Sequence, residues 1–254
     1  MYRVVLGIFL LLGILPSLAA AEPRLALVIG ISDYNSLGQN DKAELGVADA
    51  RLMAKTLEQL GFKVQMALDT DQRGMKKALS KFGQTLVEAG PDATGLFYFS
   101  GIGVAASGEQ FLIPASALVE DVQDLDLETV SARTIARQMD FAGCQTKIMI
   151  LETDRNNPFP HGAGQSYAGN IPLDSAGFFV AYATGDGSPR LRAPGANNLF
   201  TQALSEAMLE TNVDIAGMTR SARNLVYAAT QSSQVPTDMS TLVAPYFFSA
   251  AQDY

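Results

Sequence analysis

The chain is poor in the two side chains on which much enzyme chemistry depends. Among 254 residues it has one cysteine, Cys144, and one histidine, His161. A single cysteine excludes an internal disulfide. Because imidazole is the side chain that most often moves protons near neutral pH, the scarcity of histidine also limits the general acid–base mechanisms open to the chain.

Positive charge is scarce as well. The chain has 18 Lys and Arg residues against 26 Asp and Glu residues, a formal net charge of -8. Nucleic acids and anionic membrane surfaces reward clustered basic residues, so we expect neither as a partner. With 48% hydrophobic residues the chain can bury a full core, and this length suits one α/β domain.

The N-terminus has the three parts of a secretory signal. A charged residue, Arg3, precedes an apolar run over residues 4–15 and a small-residue segment at 19–21. We expect a signal peptide over residues 1–21, cleavage after Ala21, one domain over residues 22–254, and a periplasmic or secreted protein. The alternative is an uncleaved anchor, although the run is shorter than the roughly 20 residues that span a bilayer. No cysteine follows the run, so a lipidated N-terminus is not expected, and no later segment is typical of a membrane span.

Hydrophobic periodicity predicts alternating strands and helices. Continuous apolar runs of strand length favour buried parallel strands, and spacings of three to four favour helices. This order predicts an α/β fold with a doubly wound, mostly parallel six-stranded sheet and helices on both faces. The predicted strands are 25–31, 62–66, 95–100, 148–151, 177–183 and 242–248, with a hairpin-like segment over 101–114, and the helices are 41–60, 72–89, 131–142, 197–210 and 214–229.

The fourth predicted strand ends in a polar segment. Residues 148–151 are apolar, and Glu152, Thr153, Asp154 and Arg155 follow directly. In open α/β sheets, ligands and catalytic groups collect outside the carboxyl ends of the strands. We therefore place the candidate site at residues 152–155, where no evident nucleophile is present. A second acidic segment, residues 120–128, lacks the glycine-centred ligand spacing of a calcium loop and favours a solvated loop.

Five segments resemble one family in the same order along the chain. RLALVIGISD (24–33) looks like the first strand of the caspase-like cysteine peptidases, peptidase C14, especially the prokaryotic members related to metacaspases. LFYFSGIGVAASGEQFLIP (96–114) is similar to that family's FYYAGHGV and LIP segment, and ILETDRNNPF (150–159) to its ILDACRDNPF. FVAYATGDGS (179–188) and NLFTQA (198–203) resemble its IAYATAPGS and NSPFTxAL. The resemblance implies a caspase-like fold over residues 24–248.

The same resemblance places the family's catalytic pair at two residues that cannot perform its chemistry. Ile102 stands where the family has histidine, and Asp154 where it has the nucleophilic cysteine. The two positions lie 52 residues apart, close to the caspase spacing of about 50. Isoleucine has no titratable proton, and a carboxylate is a far weaker nucleophile than a thiolate. The resemblance therefore implies a degenerate site without catalytic residues.

Four other residues are candidates to replace the missing thiol and imidazole. Cys144 precedes the fourth strand at the opposite end of the sheet, which favours a buried, inert thiol. His161 lies in a long loop, where a solvated histidine is the simpler interpretation. Thr153 neighbours Asp154 but points to the other face of the strand, and Ser100 has no evident base.

Acidic residues around the same position suggest a binding site. The resemblance implies that Asp49, Glu152 and Asp154 line a pocket suited to an Arg or Lys side chain. The alternative is that Asp49 is an exposed helix residue and that Glu152 pairs with Arg155. No cofactor or metal is expected, since no histidine-rich or cysteine-rich ligand set is present.

Three functions follow from these observations. The leading hypothesis is a secreted caspase-fold pseudopeptidase that binds a protein or peptide, with a basic side chain in the pocket, and does not cut it. The alternative is a hydrolase that retains activity through the carboxylates of Glu152 and Asp154. A third hypothesis is pairing with a related caspase-like chain through the last strand, residues 242–248, at the edge of the sheet.

Overall fold

The computed structural model describes residues 22–34, 45–155, 171, 173, 175–186, 188, 190–191 and 195–249. The predicted signal segment, residues 1–21, and His161 lie outside this part of the chain. Within the described residues, none of the helices combines the length and the apolar character that a membrane crossing requires.

A six-stranded sheet forms the centre of the fold. Its strands are β1 (Arg24–Gly30), β2 (Lys63–Leu68), β3 (Thr94–Ser100), β7 (Thr146–Glu152), β8 (Phe178–Tyr182) and β9 (Thr237–Ser240). Their order is β2-β1-β3-β7-β8-β9, with five parallel strands and β9 antiparallel to β8. The four inner strands are buried along nearly their whole length, because their sequences are almost uninterrupted apolar runs. The mostly parallel six-stranded sheet predicted from the sequence is confirmed.

Helices cover both faces of this sheet. They are α1 (Gly46–Gln59), α2 (Gln72–Ala89), α3 (Leu125–Glu128), α4 (Ala132–Phe141), α5 (Leu199–Ala207) and α6 (Ile215–Ala229). On one face, α2 and α4 pack in one hydrophobic core, and on the other α1, α5 and α6 pack in a second. The predicted bounds of α2 are confirmed: Asp71 caps its first turn by accepting from the Gly74 N–H at 2.7 Å, and Gly90 ends it with a φ of 88°. Such a φ favours glycine.

A small antiparallel sheet follows β3. Its strands are β4 (Gly103–Ala106), β5 (Glu109–Leu112) and β6 (Val130–Ser131), in that order, so the predicted hairpin is confirmed. The predicted solvated loop at 120–128 is wrong, since a 3₁₀ turn and α3 form there. Its carboxylates serve as local caps: Asp124 accepts from the Glu120 and Asp121 N–H groups. Across the described residues, no group of three His, Cys, Asp or Glu side chains is placed to hold a metal ion.

The prediction of a last strand at residues 242–248 is wrong. The last strand is β9 (Thr237–Ser240), and the following segment contributes only an isolated bridge between Phe247 and Asp214. Tyr246 and Phe248 are buried instead, with their rings 5.1 Å apart. Arg24 holds this segment through its Nη1, which donates to the Phe248 carbonyl oxygen at 2.6 Å. The two aromatic side chains therefore pack in the hydrophobic core that also contains α1, α5 and α6, and β9 forms one edge of the sheet.

Candidate functional site

The register of the central sheet brings the two candidate positions together. Strands β3 and β7 are parallel neighbours, and Ser100 pairs with Glu152 at their carboxyl ends. Ile102 and Asp154 each lie two residues beyond this pair. The spacing of 52 residues observed in the sequence is therefore the register of two adjacent strands.

Ile102 lies in a fixed and largely apolar position. The residue is 8% exposed. Its N–H donates to the Tyr34 hydroxyl at 2.8 Å, and that hydroxyl donates to the Ile113 carbonyl oxygen at 2.9 Å. Burial raises the pKa of Tyr34 far above its ordinary value, so the phenol stays protonated. Position 102 thus has a defined backbone and no side chain that can carry a proton.

Asp154 is bound by a residue from a distant part of the sequence. Its Oδ1 accepts a hydrogen bond from the main-chain N–H of Arg190 at 2.7 Å. Its Oδ2 lies 3.8 Å from Nη2 of the same arginine. The carboxylate at the predicted nucleophile position is therefore engaged by Arg190 through both backbone and side chain.

Glu152 is a buried carboxylate shared between a helix and the same arginine. Its side chain is 1% exposed. Oε2 accepts from the N–H and the hydroxyl of Thr201, both at 3.0 Å, in the first turn of α5, and Oε1 lies 3.4 Å from Nη1 of Arg190. Burial raises the pKa of Glu152 to about 7, although the Arg190 charge acts in the opposite direction. Glu152 therefore changes its charge close to neutral pH.

Asp49 is also buried, with no solvent exposure. It accepts hydrogen bonds from the hydroxyl of Ser100 at 2.8 Å and from the main chain and side chain of Asn198 at 2.9 and 2.6 Å. The side-chain amide of Asn197 adds a bond at 3.1 Å. Asp49 lies in the first turn of α1 and binds the N-terminus of α5. A negative charge is favourable at a helix N-terminus.

Arg190 lies between the carboxylates of Glu152 and Asp154. Its side chain is 6% exposed, and Nη2 donates to the Gly101 carbonyl oxygen at 3.0 Å. Burial alone lowers the pKa of Arg190, but the charges of Glu152, Asp154 and Asp49 outweigh it and raise that pKa above its ordinary value. We define the acidic cluster as Asp49, Glu152 and Asp154, and Arg190 is its cation.

The alternative arrangement, with Asp49 exposed and Glu152 paired with Arg155, is wrong. Asp49 is buried, and Glu152 contacts Arg190. Arg155 instead lies 3.3 Å from Asp186 and stacks on the Tyr182 ring at 3.9 Å. Sequence reasoning missed Arg190, which lies in a connection without periodicity. The acidic cluster itself was the signal that could have revealed a cation, because buried carboxylates require a cation or hydrogen-bond donors.

The remaining candidates are held in structural roles. Cys144 is buried and precedes β7 at the opposite end of the sheet, and burial raises the pKa of its thiol. This agrees with the inert thiol predicted. Ser100 is buried and donates to Asp49. Thr153 is buried beside Gly103, with no hydrogen-bond partner for its hydroxyl among the described residues. His161 lies outside them.

The described site can bind positive charge. Its carboxylates and the Gly101 carbonyl oxygen surround one guanidinium, an arrangement suited to arginine. No thiol or imidazole lies among the described groups that form it. The geometry is that of a cation-binding cluster at the carboxyl ends of β3 and β7.

A solved structure has the same architecture. Caspase-1 from Spodoptera frugiperda superimposes with a TM-score of 0.66 and 17% sequence identity, and the match covers 92% of this chain and 92% of that chain. At this identity the likeness establishes the fold alone. The caspase-like fold predicted from the sequence is confirmed.

Sequence comparisons give the family. Mucosa-associated lymphoid tissue lymphoma translocation protein 1 from Homo sapiens is 31% identical over 97 residues. That match spans 38% of this chain and only 11% of the human protein, so the activity of the whole human protein does not transfer. The model of the caspase domain, Peptidase_C14, matches residues 23–247, nearly the whole chain. The chain therefore belongs to the caspase-domain family, peptidase C14.

Proposed function

We propose that this chain is a caspase-domain pseudopeptidase that binds a protein or peptide carrying a basic side chain and does not cut it. One observation carries the proposal. Ile102 and Asp154 each lie two residues beyond the carboxyl ends of the paired strands β3 and β7, at the positions where the family resemblance places the imidazole and the thiol. Loss of a cooperating catalytic pair leaves binding and little of the reaction rate.

The acidic cluster supports the choice of ligand. Three carboxylates act on one buried guanidinium, and the Gly101 carbonyl oxygen accepts from it. Carboxylate recognition of arginine is directional, since the guanidinium presents five N–H donors in a planar fork. A peptide with Arg or Lys is therefore the ligand class that suits this cluster best.

Binding measurements test the proposal. Labelled tetrapeptides that differ only in one residue, Arg, Lys, Gln or Asp, are titrated against the purified protein by fluorescence anisotropy. The Arg and Lys peptides bind, the Gln and Asp peptides do not, and the Glu152→Gln, Asp154→Asn double variant loses the preference. If no basic peptide binds, or if all four peptides bind equally, the proposed ligand class is wrong.

A hydrolase that works through unusual residues is the second candidate, and one observation favours it. The pKa of Glu152 is raised to about 7 by burial, which is the range suited to general acid–base catalysis. Against it, Glu152 is 1% exposed and both of its oxygens already have partners in Thr201 and Arg190. Peptide cleavage separates the two candidates.

Location and pairing are proposals of their own. We propose a periplasmic or secreted protein, based on the signal pattern of residues 1–21. The mass of the protein isolated from that compartment tests this, since cleavage after Ala21 leaves Glu22 as the first residue. Pairing with a related caspase-like chain would use the edge strand β9 (Thr237–Ser240). Size measurement with and without the second chain tests pairing, and an unchanged size excludes it.

A further inference from the structure

Arg190 fills the acidic cluster as a ligand would. It comes from the connection between β8 and α5, far in sequence from the strands that carry Glu152 and Asp154, and its side chain is 6% exposed. Its guanidinium reaches the Gly101 carbonyl oxygen at 3.0 Å. The chain therefore supplies from within itself the side chain for which its acidic cluster is suited.

The contacts of this guanidinium are incomplete. Its distances to the carboxylates of Glu152 and Asp154 are 3.4 and 3.8 Å, longer than the roughly 2.7–2.9 Å of a strong charge-assisted bond. Nε of Arg190 is buried and has no hydrogen-bond partner among the described residues. An optimised structural pair would be bidentate and saturated. The cluster therefore does not hold Arg190 with the full set of strong bonds that a guanidinium can make.

Two further buried polar atoms at this end of the sheet lack partners in the described part of the chain. They are the hydroxyl of Thr153 and Oε1 of Gln110. Both residues flank Gly103, and Gln110 donates through Nε2 to the Asp154 carbonyl oxygen at 2.9 Å. Buried polar atoms without partners are rare in folded proteins and call for a cause. A peptide main chain entering beside Asp154 would provide donors and acceptors for them.

Few described bonds fix the backbone around Arg190. The Leu191 N–H donates to Oε1 of Gln234 at 2.9 Å, and the Ser188 carbonyl oxygen accepts from the Arg155 N–H at 3.0 Å. The Arg190 N–H itself is bound to Asp154. Among the described residues, withdrawal of Arg190 breaks its main-chain bond to Asp154 and its side-chain contacts to Glu152, Asp154 and Gly101.

We propose that Arg190 is an internal ligand of the acidic cluster and that an arginine-bearing peptide binds only by replacing its guanidinium. This inference rests on the proposed function and adds its regulation. A tethered side chain competes at a high effective concentration, so the affinity for an external peptide is reduced by the fraction of time that the site is open. The cluster is thus closed in the free protein and opens when an arginine-bearing peptide takes the place of Arg190.

The test compares peptide affinity across four proteins. The wild type, Arg190→Ala, Lys147→Ala and Arg220→Ala are titrated with a labelled acetyl-Ala-Ala-Arg-Ala-amide peptide and with its Gln counterpart. Lys147→Ala also removes a buried cation, one that pairs with Asp140 at the opposite end of β7. Arg220→Ala removes the same charge from an exposed position. We expect Arg190→Ala to bind the Arg peptide at least about tenfold more tightly than the wild type, as for a site open one tenth of the time. The two controls and the Gln peptide show no gain.

The outcomes separate this inference from the proposed function. Equal, measurable affinity of wild type and Arg190→Ala overturns the inference and leaves peptide binding intact. If none of the four proteins binds the peptide, the proposed function fails. The inference about Arg190 is then tested with ethylguanidinium, a small analogue of the arginine side chain, by its effect on the melting temperature. Ethylguanidinium must then raise the melting temperature of Arg190→Ala more than that of Lys147→Ala, and equal shifts overturn the inference.

A measurement on the wild type covers the case in which Arg190→Ala fails to fold. In that case Arg190→Met replaces Arg190→Ala in the titration. Methionine is also unbranched, but it lacks the charge. Independently, hydrogen exchange of the Arg190 amide, which is bonded to Asp154 in the free protein, is followed as the Arg peptide is added. Loss of protection on binding supports replacement, and unchanged protection at saturation overturns it.

Discussion

Glu152 should make the stability of this protein fall as the pH rises toward neutrality. Its carboxyl is buried between the first turn of α5 and Arg190, and burial raises its pKa from an ordinary 4.5 to about 7. In the unfolded chain the group is solvated and returns to its ordinary value. Between these two pKa values the folded protein holds a proton that the unfolded chain has released.

The sign and size of the effect follow from proton linkage. Where the folded state binds more protons than the unfolded state, the free energy of unfolding decreases as pH increases. The stabilising contribution is complete below about pH 4.5, is lost progressively up to about pH 7, and changes no further above it. A pKa difference of this size corresponds to roughly 3 kcal/mol.

Urea unfolding between pH 4.5 and 8 measures this loss, with the Glu152→Gln variant as control. The variant keeps Asp49, Asp154 and Arg190, so subtracting its curve from that of the wild type isolates Glu152. The free energy of unfolding of the wild type, minus that of the variant, should fall by about 3 kcal/mol across this pH range. A pH-independent difference between the two proteins does not affect this fall. A flat difference would show that the pKa of Glu152 is the same in the folded and unfolded states, and a difference that rises with pH would show that folding lowers it; either result contradicts the raised pKa.

Two further substitutions test the packing around the site. Asp49→Ala removes the acceptor of several buried donors and should lower the free energy of unfolding by about 2–4 kcal/mol. Asp49→Asn keeps one acceptor oxygen and should lower it less. Equal losses of the two variants in urea unfolding would contradict this. Gly103→Ala places a Cβ 2.1 Å from the Thr153 hydroxyl oxygen and should lower the free energy of unfolding by about 1–3 kcal/mol. In Gly185→Ala the nearest described atom to the new Cβ is the Val235 carbonyl oxygen at 3.9 Å, so the loss in the same assay should be clearly smaller.

Much of the fold could be predicted because hydrophobic pattern determines it. The buried strands β1, β3, β7 and β8 are near-continuous apolar runs, and Met75, Leu79, Phe82 and Leu86 mark one face of α2. The pattern failed at residues 242–248, whose apolar residues suggest a strand. There the pattern reflects burial of Tyr246 and Phe248 in the core, and burial alone does not distinguish a strand from an irregular segment.

The site was predicted only in part, for a physical reason. Strand ends are readable from sequence, and this located Glu152 and Asp154 at the carboxyl end of β7. The partner of these carboxylates could not be read, because Arg190 lies in a connection with no periodicity, and several arginines could have served as the cation. Only three-dimensional contact selects Arg190 for Glu152 and leaves Arg155 to Asp186.

The most direct test of the central claim, binding without cleavage, is a search for peptide products. The purified protein is incubated with the Arg and Lys peptides, and mass spectrometry follows their intact masses over time, with Asp154→Ala measured in parallel. The peptides should remain intact in both samples. Products that accumulate with the wild type and disappear with Asp154→Ala would contradict it and would establish a peptidase that works through a carboxylate.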